Sequence, residues 1–279
     1  MTNLTIAVTQ MTCTWDRPAN IAQAETLVRD AAGQGAQLIL LQELFETPYF
    51  CTEQNADHLA LAAPYEGNPL ITHFAALAAE LNVVMPISFF ECTPRQFFNS
   101  MAMIDADGTV LGLYRKTHIP DGPGYQEKFY FTPGDTGFRV WKTAVGKVGV
   151  GICWDQWFPE AARSMALMGA DVLLYPTAIG SEPQDPTIQT KAHWQRTMQG
   201  HAAANMSVVA ASNRIGTEHV GHRQRYYGGS FISDCTGGLL TEMDDRPGIA
   251  LATVDLSAQA RARSAWGLFR DRRPEHYKI

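Results

Sequence analysis

In Gln37-Leu-Ile-Leu-Leu41 four apolar residues follow one another with none of the polar alternation of a half-solvated strand, and the run is too short for a helix. A strand of that kind is covered on both faces, so the chain must supply a layer on either side of it. The surrounding sequence provides them. Cap residues and a proline over residues 16–20 precede helical spacing over 21–33, and residues 69–81 read as a second amphipathic helix. Residues 4–10 and 83–90 read as strands, and 100–105 with 109–114 as a hairpin around Asp107-Gly108. A long Gly/Pro-rich connection, 116–137, leads to a strand pair at 138–143 and 147–152. Helices over 159–168 and 191–205 then alternate with strands over 171–175 and 207–212, and short strands follow at 229–233, 238–241 and 249–255. This alternation predicts an α/β protein with mixed sheets and outer helices. No linker-like stretch or repeat divides the chain, so residues 1–279 are expected to form one domain.

Charge and cysteine usage narrow the setting. A net charge of −6 repels a phosphate backbone, so nucleic acid is not an expected partner. No apolar run approaches the ~20 residues of a membrane helix, and the N-terminal residues lack a secretory pattern. Cys13, Cys51, Cys92, Cys153 and Cys235 are odd in number, widely spaced and without a Cys-x-x-Cys pair. A disulfide framework or structural zinc site is not expected, and a reducing cytoplasm is. His118, His193, His201, His219 and His222 show no tight metal-ligand spacing. His219 and His222 read as part of a Gly-rich loop, and His193 and His201 as structural residues of a helix.

Three stretches carry chemistry. In Val148-Gly-Val-Gly-Ile-Cys153-Trp-Asp-Gln-Trp the cysteine ends an apolar strand and precedes a helix, where a turn can present a thiol and aim backbone N–H groups at one point. A free cysteine is as commonly an inert buried side chain, and position alone leaves both readings open. Leu38-Ile-Leu-Leu-Gln-Glu43 sets a carboxylate at another strand end, on the rim where α/β sites assemble; it suits a general base there, or is simply solvated. Lys116 follows a hairpin strand into a rigid Gly/Pro loop, where an ammonium can face a developing oxyanion, although most lysines are surface charges.

Glu43, Lys116 and Cys153, each at a strand end and in that order, resemble the Glu-Lys-Cys triad of the nitrilase superfamily. Tyr114-Arg-Lys-Thr-His-Ile-Pro-Asp-Gly-Pro-Gly-Tyr-Gln-Glu127, Ile152-Cys-Trp-Asp-Gln-Trp-Phe-Pro-Glu160, Ala211-Ser-Asn-Arg-Ile-Gly216 and Trp266-Gly-Leu-Phe-Arg-Asp-Arg-Arg-Pro274 resemble its branch acting on N-carbamoylputrescine. The resemblance spans nearly the whole chain. It implies a four-layer αββα sandwich, a homo-oligomer built from dimers, no metal and no organic cofactor, and a fourth catalytic carboxylate at Glu127. The implied reaction cleaves a ureido group through the Cys153 thiol, with Lys116 and the Trp154 N–H holding the oxyanion. The substrate's distal ammonium needs an acidic or aromatic partner. Glu182 is expected to supply it, with Asp185 and Asp121 behind, and Tyr49, Tyr130 and Trp154 as aromatic walls. Two rival readings are a branch acting on a carboxylate-bearing compound such as N-carbamoyl-β-alanine, and a non-catalytic scaffold. The basic, aromatic tail from Arg261 is expected to dock through Trp266 and Phe269.

Overall fold

In chain order the elements are β1 (Asn3–Gln10), α1 (Arg17–Gly33), β2 (Leu38–Leu40), α2 (Pro69–Leu81), β3 (Met85–Cys92), β4 (Phe97–Ile104), β5 (Val110–Arg115), β6 (Val140–Thr143) and β7 (Gly146–Val150). There follow α3 (Pro159–Leu167), β8 (Val172–Pro176), α4 (Lys191–Asn205), β9 (Val208–Ser212), β10 (Ile215–Val220), β11 (His222–Tyr227), β12 (Phe231–Ser233), β13 (Leu239–Glu242), β14 (Gly248–Asp255) and α5 (Leu256–Trp266). This is a computed structural model, and it describes residues 3–185 and 187–277.

Strands β14-β1-β2 and β3-β4-β5 form two three-stranded sheets, joined edge to edge where Leu38 and Val84 form a parallel bridge. A second, six-stranded sheet runs β13-β12-β9-β8-β7-β6. The period-2 alternation of side chains decides what each face meets. Ile6, Val8, Leu38 and Leu40 share one core with Val148, Val150, Val172 and Leu174, which is the contact between the two sheets. The intervening Ala7, Ile39 and Leu41 pack with Val28 of α1 and with Phe74 and Leu77 of α2. On the far side Leu173 and Tyr175 meet Met165 of α3 and Trp194 and Met198 of α4. Three apolar interfaces therefore separate four layers in the order αββα, as expected. Both faces of β2 and β8 are buried, which is why their sequences carry no polar alternation.

The differences from the sequence reading have local causes. Helix α1 starts earlier than its periodicity suggests because the Asp16 carboxylate accepts from the Ala19 N–H at 3.0 Å, with a proline in the first turn. Helix α5 has no apolar stripe, since Gln259 is its one buried residue, and its start is fixed by Asp255 capping Ser257 and Ala258. Residues 215–227 form a hairpin rather than a loop, so His219 lies in β10 and His222 opens β11. Its buried face includes the polar residues Glu218 and Gln224, which breaks the hydrophobic alternation that marks a strand. Trp266 is 71% exposed and does not dock on its own chain, whereas the Phe269 ring lies 5.0 Å below the Arg163 guanidinium. No helix among the described residues is long and apolar enough to cross a membrane.

Candidate active site

Parallel strands end on one edge of each sheet, and the two edges meet. The Ser212 hydroxyl, at the end of β9, donates to the Leu40 carbonyl at the end of β2 (2.7 Å), and the Glu43 N–H reaches the Thr177 carbonyl just past β8 (3.4 Å). Glu43 follows β2, Lys116 follows β5 and Cys153 follows β7, so all three are delivered to this seam.

Lys116 is buried, and its Nζ donates to Glu43 Oε1 at 2.9 Å and to Glu127 Oε1 and Oε2 at 2.8 and 2.7 Å. Burial alone would pull its ammonium down, but the Glu127 and Glu43 carboxylates outweigh that and hold it well above its ordinary value. Glu127, in a single 3-10 turn at Glu127–Phe129, is fully buried; desolvation pushes its carboxyl up to about 7 despite the lysine. The Asn99 amide donates to Glu43 Oε1 at 2.7 Å. Glu43 Oε2 is buried with no hydrogen-bond partner among the described residues, which leaves this oxygen to accept a proton.

Cys153 opens a 3-10 turn, Cys153–Trp157, with φ of +41°, a left-handed conformation a side-chain-bearing residue adopts only when its surroundings enforce it. Enforcement comes from the Ile152 N–H donating to Asp155 (2.9 Å) and the Asp155 N–H donating to the Ile152 carbonyl (3.0 Å). Gly151 permits the tight approach: a Cβ there would stand 3.0 Å from the Tyr175 ring. Burial and then the Glu43 charge push the Cys153 thiol well above its ordinary range, with Lys116 opposing. The resting sulfur is therefore a thiol that needs a base.

Cys153 lies at a cleft of about 480 Å³, walled by Tyr125, Trp154 and Trp157 and carrying Asp121 and Glu182. Glu182 is partly buried, which raises its pKa. Trp154 lines this cleft, whereas Tyr49 and Tyr130 do not. Tyr49 is buried behind the site and donates to Glu127 Oε1, while the Tyr130 hydroxyl donates to the Glu53 carbonyl at 2.8 Å. Tyr125 and Trp157 stand where aromatic walls were sought. Asp185 is not among the lining residues; its carboxylate accepts from the Thr187 N–H (2.9 Å) and hydroxyl (2.6 Å) in a local turn. His201 is structural, its Nε2 lying 2.7 Å from the Gln156 carbonyl, but His193 lines the cleft beside Trp157. Among the described residues no group of three or more His, Cys, Asp or Glu is placed to hold a metal ion.

Two residues that sequence reasoning missed fix the acid. Arg214, fully buried after β9, donates to the Glu43 and Leu44 carbonyls at 2.9 and 3.0 Å and pairs with Glu218. Glu218 in turn accepts from the Tyr49 N–H at 2.6 Å. Asn99 holds the side chain, as above. In Phe97-Phe-Asn-Ser100 a polar pair interrupts an apolar strand, which is the one sequence signal for it.

A thiol at a strained turn, an unsatisfied carboxylate oxygen and an ammonium held between two acids define a cysteine-dependent hydrolase of the carbonyl–nitrogen bond. The family model of carbon-nitrogen hydrolases matches residues 5–264, and the chain belongs to that family. It is 55% identical to an N-carbamoylputrescine amidase of Arabidopsis thaliana over 97% of this chain and 92% of that protein. It is 53% identical to a citrullinase of Francisella tularensis over 99% of this chain and 98% of that one. A crystal structure of a carbon-nitrogen hydrolase from Helicobacter pylori matches with a TM-score of 0.92 at 37% identity, over 99% of this chain and 97% of the other.

Proposed function

We propose that the chain hydrolyses N-carbamoylputrescine to putrescine, carbon dioxide and ammonia, with Cys153 as nucleophile, Glu43 as acid and base, and Lys116 as oxyanion donor. A ureido carbonyl is a poor electrophile because two nitrogens donate into it, so the reaction needs an activated nucleophile and strong oxyanion stabilisation together. The free Glu43 Oε2 takes the Cys153 proton as sulfur attacks the ureido carbon. Lys116 and the Trp154 N–H hold the oxyanion. Glu43 protonates the departing ammonia, leaving an S-carbamoyl thioester; it then deprotonates a water that displaces the thiolate. The released N-carboxy amine loses carbon dioxide. Glu127, with Tyr49 behind it, orients Lys116.

The observation that carries the substrate is the charge of the cleft. Asp121 and Glu182 line it, and no lysine or arginine is among its described lining residues. A cationic chain end suits such walls, and three aromatic side chains line them as well. The citrullinase relative supports a second reading, since citrulline is the same molecule with a carboxylate on the carbon that bears the ammonium. Here that carboxylate would meet two acids. Ammonia release from N-carbamoylputrescine, citrulline and N-carbamoyl-β-alanine decides the matter. The expected kcat/KM for N-carbamoylputrescine exceeds the other two by ~100-fold or more, since like-charge juxtaposition costs several kcal/mol. Equal or faster turnover of either carboxylate-bearing compound overturns the assignment.

One domain, assembly into dimers and a cytoplasmic setting belong to the same reading. The shared core between the sheets supports the first. Trp266, exposed beside a basic C-terminal segment, supports the second, and five free cysteines the third.

A further inference from the structure

We infer that Asp155 is the positioning residue that sets the nucleophile against the oxyanion donor, an inference that rests on the roles just given to Cys153 and Lys116. Its carboxylate is fully buried and accepts four hydrogen bonds. Oδ2 takes the Tyr114 hydroxyl at 2.7 Å and the Ile152 N–H at 2.9 Å. Oδ1 takes the His118 N–H at 2.9 Å and faces His118 Nδ1 at 2.8 Å. A carboxylate only accepts, so it fixes the ring proton on Nδ1. The His118 ring is in turn stacked on Phe158, 3.6 Å between centroids and 4° from parallel.

The positions of these partners matter more than their number. Tyr114 lies two residues before Lys116 and His118 two after it. Ile152 lies one residue before Cys153, and Asp155 itself two after. One side chain thus holds the Tyr114 phenol and the His118 N–H and ring on either side of Lys116 and the Ile152 N–H just before Cys153, so it links a residue of each sheet. An acceptor-only group is required here, because every partner is a donor. Asparagine has the same shape but presents an NH₂ on one side. Whichever way that amide turns, a backbone N–H, of Ile152 or of His118, faces a donor and the bracket opens.

The test compares Asp155→Asn, Tyr114→Phe and Cys153→Ala with the parent enzyme on N-carbamoylputrescine. kcat is divided by the fraction of folded protein, read from the calorimetric unfolding enthalpy, so partly misfolded protein does not count. Asp155→Asn is expected to lower this normalised kcat by ~100-fold with KM within about threefold, the scale of a displacement of about 1 Å between reacting groups. Tyr114→Phe removes one hydroxyl on the lysine side, with its bonds to Asp155 and to the Thr117 hydroxyl and N–H. It is expected to lower normalised kcat by about tenfold without slowing alkylation of Cys153, and to have less than a twofold effect when added to Asp155→Asn. A merely structural role would reduce the folded fraction and leave kcat per folded molecule unchanged. If Asp155→Asn does not fold, Tyr114→Phe alone decides. Normalised kcat within about threefold of the parent in every folded variant of these two positions, with Cys153→Ala inactive, overturns the positioning role alone. Turnover that survives in Cys153→Ala overturns the reading beneath it as well.

Discussion

Lys116→Met separates what the buried ammonium does for turnover from what it does for stability. Methionine fills similar space without the charge. Loss of one oxyanion donor costs ~10²–10³ in rate, so ammonia release should fall by at least that factor. The stability effect depends on pH in a way the geometry specifies. In the parent, Glu127 has its carboxyl at about 7 with the lysine Nζ 2.7 Å away, and Lys116 is held well above its ordinary value. Glu127 there loses the rest of its proton between about pH 7 and 8, which lowers stability by less than ~0.5 kcal/mol, and from there to about pH 9 the pair is fully charged and contributes no slope. Without the cation, the raised Glu127 carboxyl rises further and keeps its proton through this window, while the unfolded chain has already lost it. Folded protein then binds more protons than unfolded, and stability falls as pH rises, by ~1.4 kcal/mol per pH unit. Over two units that is ~2.7 kcal/mol, or about 5 °C in Tm for a chain of this size. Calorimetric Tm values of both proteins across pH 7–9 check this. A variant whose Tm tracks the parent's across the window refutes the charge assignment, and turnover within tenfold of the parent refutes the oxyanion role.

Glu182→Gln should raise KM for N-carbamoylputrescine by roughly tenfold while leaving kcat within about twofold, since a partly solvated charge-assisted contact is worth ~1–2 kcal/mol and lies away from the reacting carbon. Unchanged kcat/KM in steady-state assays would remove Glu182 from the ammonium site. Gly151→Ala sets a methyl 3.0 Å from the Tyr175 ring and 3.2 Å from Asp155 Cβ, and should cost ~1–3 kcal/mol, seen as a Tm lower by about 2–6 °C.

How much could be read from sequence depended on whether a residue's surroundings wrote a pattern around it. Ile39 and Leu41 face helices while Leu38 and Leu40 face the other sheet, and this double burial erased polar alternation and announced the layers. Glu43, Lys116 and Cys153 stood out as polar residues at the ends of apolar strands, but position alone left each of them open, and the resemblance to the nitrilase superfamily is what joined them. Arg214 and Asp155 were not, because a buried ionised side chain satisfied by backbone groups looks, in sequence, like any surface charge. Tyr49 was assigned to the cleft wall for its ring, whereas its hydroxyl places it behind Glu127. Nothing local distinguishes a phenol that touches ligand from one that touches a carboxylate. The 215–227 hairpin was read as a loop because its buried face carries glutamate and glutamine, whose partners, the Tyr49 N–H and the Ser181 carbonyl, lie far away along the chain.

The division of labour between the sheets has a consequence for how the chain becomes an enzyme. Base and ammonium ride on the N-terminal half, the sulfur on the C-terminal half. Neither half holds a competent set. A ribosome-bound chain, or an intermediate with one sheet ordered, carries an ordinary solvated thiol with neither the Glu43 carboxylate nor the Lys116 ammonium beside it. Reactivity arrives in a single event, when the halves dock, so the nucleophile is armed only after the surface that would otherwise aggregate has been hidden.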